Sequence, residues 1–279
     1  MVSFKFNNVY ISDWYSIATK KETLGTVKKY NQVIEDNYFG EKTYERAEAK
    51  MQKVVIDRLL NMTAASYPFS YLGVYSACAS FNESLIILSN LIDSKKIKNG
   101  LALTSSHTEV SERQFRYPIE YGSPRFKRST MTATGSVGVF LSTNGKIKVS
   151  KCTIGAAVNY HQTDVNNMGA VMAPAAAETL MNHLKVFKET QADYDLILTG
   201  DLGRVGSKLF LEILKKNNLT LENYQDAGSL LFRESDFHNA GSSGPVSLPL
   251  VLFGKIIPSK KYKKILLLAT GALHSQTLV

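Results

Sequence analysis

Cys78 lies in Tyr75-Ser-Ala-Cys-Ala-Ser80, between a strand-like segment, Leu72 to Tyr75, and an apolar helix-like run from Phe81 to Leu91. A cysteine that opens a helix meets free backbone amides and the positive end of the helix dipole, and both stabilise a thiolate. That is how an acyl-transfer nucleophile is built. It also needs a base and an oxyanion hole, and the candidates are His107, at the end of a buried-strand run, and backbone amides near Gly271. The alternative is a small buried cysteine packed at a tight strand-helix junction. Gly200-Asp-Leu-Gly-Arg-Val-Gly206 fits neither P-loop nor dinucleotide spacing. It reads as a strand-to-helix turn with Asp201 facing the pocket as a hydrogen-bonding or cation-linked group. His161 and Asp164 share a loop, but two ligand-type residues without companions do not make a metal site.

The elements that must position these residues occur twice. Asp93-Ser-Lys-Lys-Ile-Lys98 aligns with Pro258-Ser-Lys-Lys-Tyr-Lys263, and the same register sets Leu101-Ala-Leu-Thr104 on Leu266-Leu-Leu-Ala269 and Cys78 on Ser243. The chain therefore reads as a duplication, with an N-terminal half at 1–143 and a C-terminal half at 144–279. Tyr44 to Leu60 places Ala47, Met51, Val54, Val55 and Leu59 on one helical face. Its counterpart is Pro174 to Thr190, with Pro174 expected in the first turn. Asp193 to Gly200 predicts a buried parallel strand and Lys208 to Lys216 a further helix. The link from Leu60 to Cys78 is far shorter than that from Lys188 to Ser243, so the first half lacks about one strand-helix unit. Thr132 to Ser142 and Lys146 to Ser150, around Thr143-Asn-Gly145, predict a hairpin, and residues 1–40 an extended lead-in with at most one strand. Short loops between helices and apolar strands indicate an α/β fold in layers.

Composition narrows the classes. The 279 residues are 44% hydrophobic and 20% charged, as in a globular protein with a sizeable core. The net charge of +9 comes from scattered lysine pairs, which read as a solvated basic face and not as a nucleic-acid arm. Cys78 and Cys152 form neither a disulfide framework nor a metal cluster, as befits a reducing compartment. The first residues lack the pattern of a signal peptide. The longest apolar stretch, Val246 to Pro258, is shorter than the about 18 residues of a membrane span.

The Cys-led helix, the halved repeat and the strand ends Thr-Gly-Asp201 and Ala269-Thr-Gly-Ala-Leu273 resemble the thiolase and ketoacyl synthase superfamily. Within it, the segment from Thr104 to Gly122, Met172-Ala-Pro-Ala-Ala-Ala177 and Tyr194-Asp-Leu-Ile-Leu-Thr-Gly-Asp201 closely resemble the stage V sporulation protein AD family. The resemblance implies a thiolase-like αβαβα layered sandwich of two pseudo-symmetric halves. It also implies a role in uptake of dipicolinic acid into the forespore, with binding of that ligand free or as its calcium chelate. No cofactor is implied, and Ca²⁺ enters only through the ligand. The implied partners are other stage V sporulation A membrane proteins and a second copy of the chain, at the periphery of the forespore or spore inner membrane, with no nucleic acid. Condensing enzymes of the superfamily draw a histidine, and often an Asn or second His, from their second half. Here those positions read Asp201-Leu-Gly203 and Ala240-Gly-Ser-Ser-Gly244, so Cys78 lacks a proton acceptor unless His107 or His274 is redeployed. A binding pocket is the favoured reading. An acyltransferase using Cys78 and His107, or a degenerate structural subunit, are the alternatives. A dianion calls for Arg forks, which points to Arg113 and Arg116, with Cys78, Ser105, Ser106, His107 and Asp201 completing the ligand-binding set.

Overall fold

The computed structural model describes residues 1–66, 70–111, 126–164, 166–233 and 240–272. Its strands are β1 (Val2–Lys5), β2 (Tyr10–Thr19), β3 (Gln32–Ile34), β4 (Asn99–Ser106), β5 (Met131–Thr132), β6 (Gly135–Ser142), β7 (Ile147–Lys148), β8 (Lys151–Ile154), β9 (Leu196–Thr199), β10 (Tyr224–Asp226), β11 (Ser242–Ser243) and β12 (Ile265–Leu268). The helices are α1 (Tyr44–Thr63), α2 (Ser80–Asp93), α3 (Thr108–Ser111), α4 (Met168–Phe187), α5 (Gly203–Lys216), α6 (Ala227–Leu231) and α7 (Ser247–Val251), which runs on through a π-turn at Leu252–Ile256.

Strand alternation builds the layers. Successive side chains point to opposite faces of a sheet, and in the first sheet, ordered β3-β2-β6-β4, one face carries Ile17, Leu101, Leu103 and Phe140. These pack on Met51, Val55 and Leu59 of α1, the stripe that the sequence places on one helical face. The opposite face carries Ala18, Ala102, Val137, Val139 and Leu141. It meets Phe81, Leu85 and Ile92 of α2 and Leu248, Leu250 and Val251 of α7. Leu196 and Leu198 of β9 close this central layer from the other side. Ile197 and Leu268 face outward onto α4 and α5. The result is an αβαβα sandwich with α2 and α7 at its centre, and β9 lies parallel to both β10 and β12.

The duplication is visible in three dimensions, as α2 leads into β4 just as the α7 segment leads into β12. Between α4 and α7 the second half carries β9, α5, β10, α6 and β11, whereas α1 is followed among the described residues directly by the turn into α2. That is the missing unit.

Four expectations are corrected. Residues 1–40 contain three strands, and β2 is a ten-residue strand inside the first sheet. Its period is hidden by a register shift between Ile11 and Asp13 and by buried polar residues that have partners, such as Ser16 with Asn31 Oδ1 at 3.0 Å. The hairpin does not form, because β7 pairs with Tyr10 and Ile11 of β2 on the edge opposite β6. Gly145 makes that crossing possible, since a Cβ there would lie 2.8 Å from Ile11 O. Pro174 is inside α4, which starts at Met168 under an Asn167 cap accepting from Ala170 N at 3.2 Å. Leu72 to Tyr75 is no strand. Without the missing unit it has no edge to pair with, and Tyr71, Leu72 and Tyr75 are exposed.

α4 and α5 cross at a glycine pair. A Cβ on Gly206 would sit 2.7 Å from Gly169 Cα, closer than packed atoms approach. Gly206→Ala must therefore part the two helices, and we expect a loss of about 1–3 kcal/mol in urea unfolding, the range for overpacking. A neutral effect would mean that the helices are not in this contact.

Candidate functional site

The turn Ala77–Ala79 delivers Cys78 to the start of α2. Ser80 fixes its shape, donating Oγ to Ala77 O at 2.7 Å and accepting from Ser76 N at 3.0 Å. Ala77 adopts a left-handed φ of 46°, a conformation that costs a non-glycine residue roughly 1–3 kcal/mol and is common at functional turns. Gly271, just past β12, packs against this turn, where a Cβ would meet Ser76 O at 2.4 Å. Gly271, near which the sequence looks for oxyanion-hole amides, is thus packed against the turn that carries Cys78.

Opposite the thiol stands Asp201, at the turn between β9 and α5 and only 1% exposed. The Cys78 thiol lies within hydrogen-bonding reach of its carboxyl. Asp201 Oδ2 accepts from Gly244 N at 3.2 Å, and that same amide faces the sulfur. Gly244 has φ +96°, and a Cβ there would lie 2.9 Å from Thr132 Cγ2, so only glycine brings this amide in. Ser106 is next to it, 3.4 Å from that Cβ position, with its Oγ donated to Ala133 O at 2.7 Å.

Electrostatics here oppose an activated thiolate. Burial first, then the charge and hydrogen bond of Asp201, hold the Cys78 thiol well above its ordinary value, and the Gly244 amide only partly offsets them. Burial also pushes Asp201 up to about 7, with Asp226 adding to the rise. Thiol and acid therefore keep at least one proton between them at neutral pH.

Not all the residues grouped by the sequence meet. The pleat turns Ser105 and His107 to the α1 face, away from Ser106. Ser105 Oγ donates to Glu48 Oε1 at 2.6 Å and accepts from Gln52 Nε2 at 2.5 Å. His107 is buried against Tyr44, with Nε2 donating to Asn37 O at 2.8 Å and Nδ1 accepting from Glu109 N at 3.2 Å. Both imidazole nitrogens are thus engaged away from the thiol. Arg113, Arg116 and His274 lie outside the described residues. Asp164 pairs with Arg128 Nε at 2.6 Å, which lowers its carboxyl, while His161 is exposed. Cys152 is in β8, its thiol raised to about 11 by burial.

One residue that positions the site was missed. Asp226 accepts from Thr199 Oγ1, Leu202 N, Gly203 N and both N and Oγ of Ser229, at 2.8–3.1 Å. It ties down the turn that presents Asp201. The spacing Asp226-Ala-Gly-Ser229 is a helix N-cap pattern and could have revealed it.

The family model described as Stage V sporulation protein AD (SpoVAD) matches residues 2–66 and 59–279, two pieces that join where the first half is short. The stage V sporulation protein AD of Bacillus subtilis (strain 168) is 38% identical over 224 residues, covering 78% of this chain and 66% of that protein. Among solved structures, cerulenin-bound OleA of Xanthomonas campestris superposes with a TM-score of 0.62 at 14% identity, over 96% of this chain and 94% of OleA. The 3-oxoacyl-(acyl carrier protein) synthase III, FabH, of Xanthomonas oryzae pv. oryzae gives 0.61 at 14% identity, over 96% of each chain. These likenesses show a shared fold.

With the thiol held protonated, iodoacetamide should label Cys78 slowly at about pH 8. Removing the neighbouring charge with Asp201→Asn should speed labelling roughly tenfold, the change expected for a one-unit fall in thiol pKa. Fast labelling of the unsubstituted protein would show that the carboxyl does not control the sulfur.

Proposed function

The chain belongs to the stage V sporulation protein AD family, and from that premise we propose that it is a non-enzymatic binder of dipicolinate, free or as the calcium chelate, serving its uptake into the forespore. The supporting observation is Asp201 beside Cys78. In the condensing enzymes that the chain resembles, this position supplies an imidazole. A histidine beside a cysteine takes its proton and favours the thiolate, whereas a buried carboxyl disfavours it. The ends of both central helices and the Gly244 amide still converge on one point, a geometry suited to orienting a planar ligand with hydrogen bonds. The scaffold by itself assigns no chemistry. Arg113 and Arg116 are the proposed forks for the two carboxylates.

No helix among the described residues is long and apolar enough to cross a membrane. Transfer into the forespore therefore calls for membrane partners, proposed to be the other stage V sporulation A proteins, with the protein acting as a homodimer at the membrane periphery. Its span of 66% of the B. subtilis protein's length makes ligand binding the first property to measure.

Calorimetric titration with dipicolinate, with and without Ca²⁺, should give saturable binding. Arg113→Ala and Arg116→Ala should weaken it by about 1.5–3 kcal/mol where the guanidinium contacts a carboxylate, the worth of a charged hydrogen bond. Absence of binding at millimolar ligand, together with acyl-CoA trapping at Cys78, would replace this reading with an acyltransferase.

A further inference from the structure

The two oxygens of Asp201 are treated unequally. Oδ2 accepts the Gly244 amide at 3.2 Å, but Oδ1 is buried with no hydrogen-bond partner. An unpaired buried polar atom costs on the order of 1–3 kcal/mol, and folded proteins keep few of them. Asp226 is the opposite case, with five donors converging on it. Burial pushes both acids up and the donors pull Asp226 back. Two buried neighbours of like charge do not both ionise readily. The acid with five donors is built to hold the charge, and Asp201, which has only the Gly244 amide and the Cys78 thiol beside it, to hold a proton. Because Oδ2 is already an acceptor, that proton belongs on Oδ1. The Oδ1–H then needs an acceptor from elsewhere.

The ionisable groups acting on Asp201 are the Cys78 thiol, from the turn that opens α2, and Asp226, from the end of β10. α6 presents Gly228, which has no side chain and where a Cβ would lie 3.2 Å from Asp201 Cα, and the turn after β11 presents the Gly244 amide. On α5, Arg204 directs Nη2 to Phe232 O at 2.7 Å. Cys78 itself is half-buried at the start of α2.

We infer that Asp201, as the neutral acid, is the hydrogen-bond donor that reads one ligand carboxylate at the start of α2, so that binding of the dianion takes up a proton. The inference rests on the reading of this pocket as a dicarboxylate site. An acid O–H donating to a carboxylate makes a short, charge-assisted bond. It satisfies Oδ1 and removes the charge that would repel the ligand. A guanidinium binds a carboxylate at any ordinary pH, but this donor exists freely only below the acid's own midpoint of about 7. Above it a proton must be drawn from solvent, so affinity falls as pH rises and levels off below.

The test is calorimetric titration of the intact protein with dipicolinate from about pH 6 to about pH 9, in buffers of different ionisation enthalpy. Dipicolinate stays a dianion throughout. We expect uptake of close to one proton per ligand above the midpoint and an approximately tenfold loss of affinity per pH unit there. Asp201→Asn, whose amide can donate where the acid did, should bind with neither proton uptake nor that slope. Pocket binding without proton uptake in the unsubstituted protein would overturn the role of Asp201 while leaving the binding function intact. No binding at any pH would overturn both. The unsubstituted protein alone decides the matter should Asp201→Asn fail to fold.

Discussion

Where α2 and α7 begin, the Cys78 thiol, the Asp201 carboxyl and the Gly244 amide share one buried contact. Each comes from a different part of the sandwich. Cys78 arrives on the central helical layer, Asp201 from the end of β9 in the second sheet, and Gly244 from the turn that links β11 to α7. For the three to meet, the glycine turn must adopt φ +96° without a Cβ, Gly228 must leave room behind Asp201, and Gly271 must let the turn of Cys78 approach. Asp226 clamps the turn of Asp201 with two backbone amides. Moving any one of these supports displaces a group that is buried and has few other partners.

The identity of the side chain at position 201 decides what this arrangement can do. An imidazole there would accept the thiol proton and leave a nucleophile with a cation beside it. A carboxyl in the same buried place favours the protonated forms of both partners, because an anion next to a desolvated thiol makes a second anion expensive. The fold shared with FabH and OleA is thus compatible with a neutral, proton-holding site. In the proposed reading, binding is a matter of hydrogen bonds and supplied charge, with no covalent step required of Cys78.

Sequence made the architecture legible because its strongest signals are local and repeated. The lysine-pair segments register α2-β4 on the α7 segment and β12, and the stripe Ala47, Met51, Val55 and Leu59 is buried as read. Long-range constraints were harder to read. β2 hides its period behind a register shift and satisfied polar groups. α4 keeps Pro174 in its interior because tertiary packing, including the Gly169–Gly206 crossing, outweighs the local preference. In the site, the sequence reads Asp201 as facing the pocket, and the structure places it beside Cys78. It also grouped Ser105, Ser106 and His107 as neighbours, although a strand cannot send adjacent side chains to one face. The partners that occupy His107, Asn37 O and the Glu109 amide, come from main chain that leaves no side-chain pattern.

The central claim is that Asp201 keeps its proton well above the ordinary carboxyl range, up to a midpoint of about 7. Infrared difference spectroscopy of protein carrying ¹³C-labelled aspartate, the unsubstituted protein against Asp201→Asn, observes this protonation directly. A protonated-carboxyl band that belongs to Asp201 and disappears with a midpoint near 7 is the predicted result. An Asp201 signal that is already carboxylate at about pH 5, in the ordinary range for an exposed acid, would contradict it.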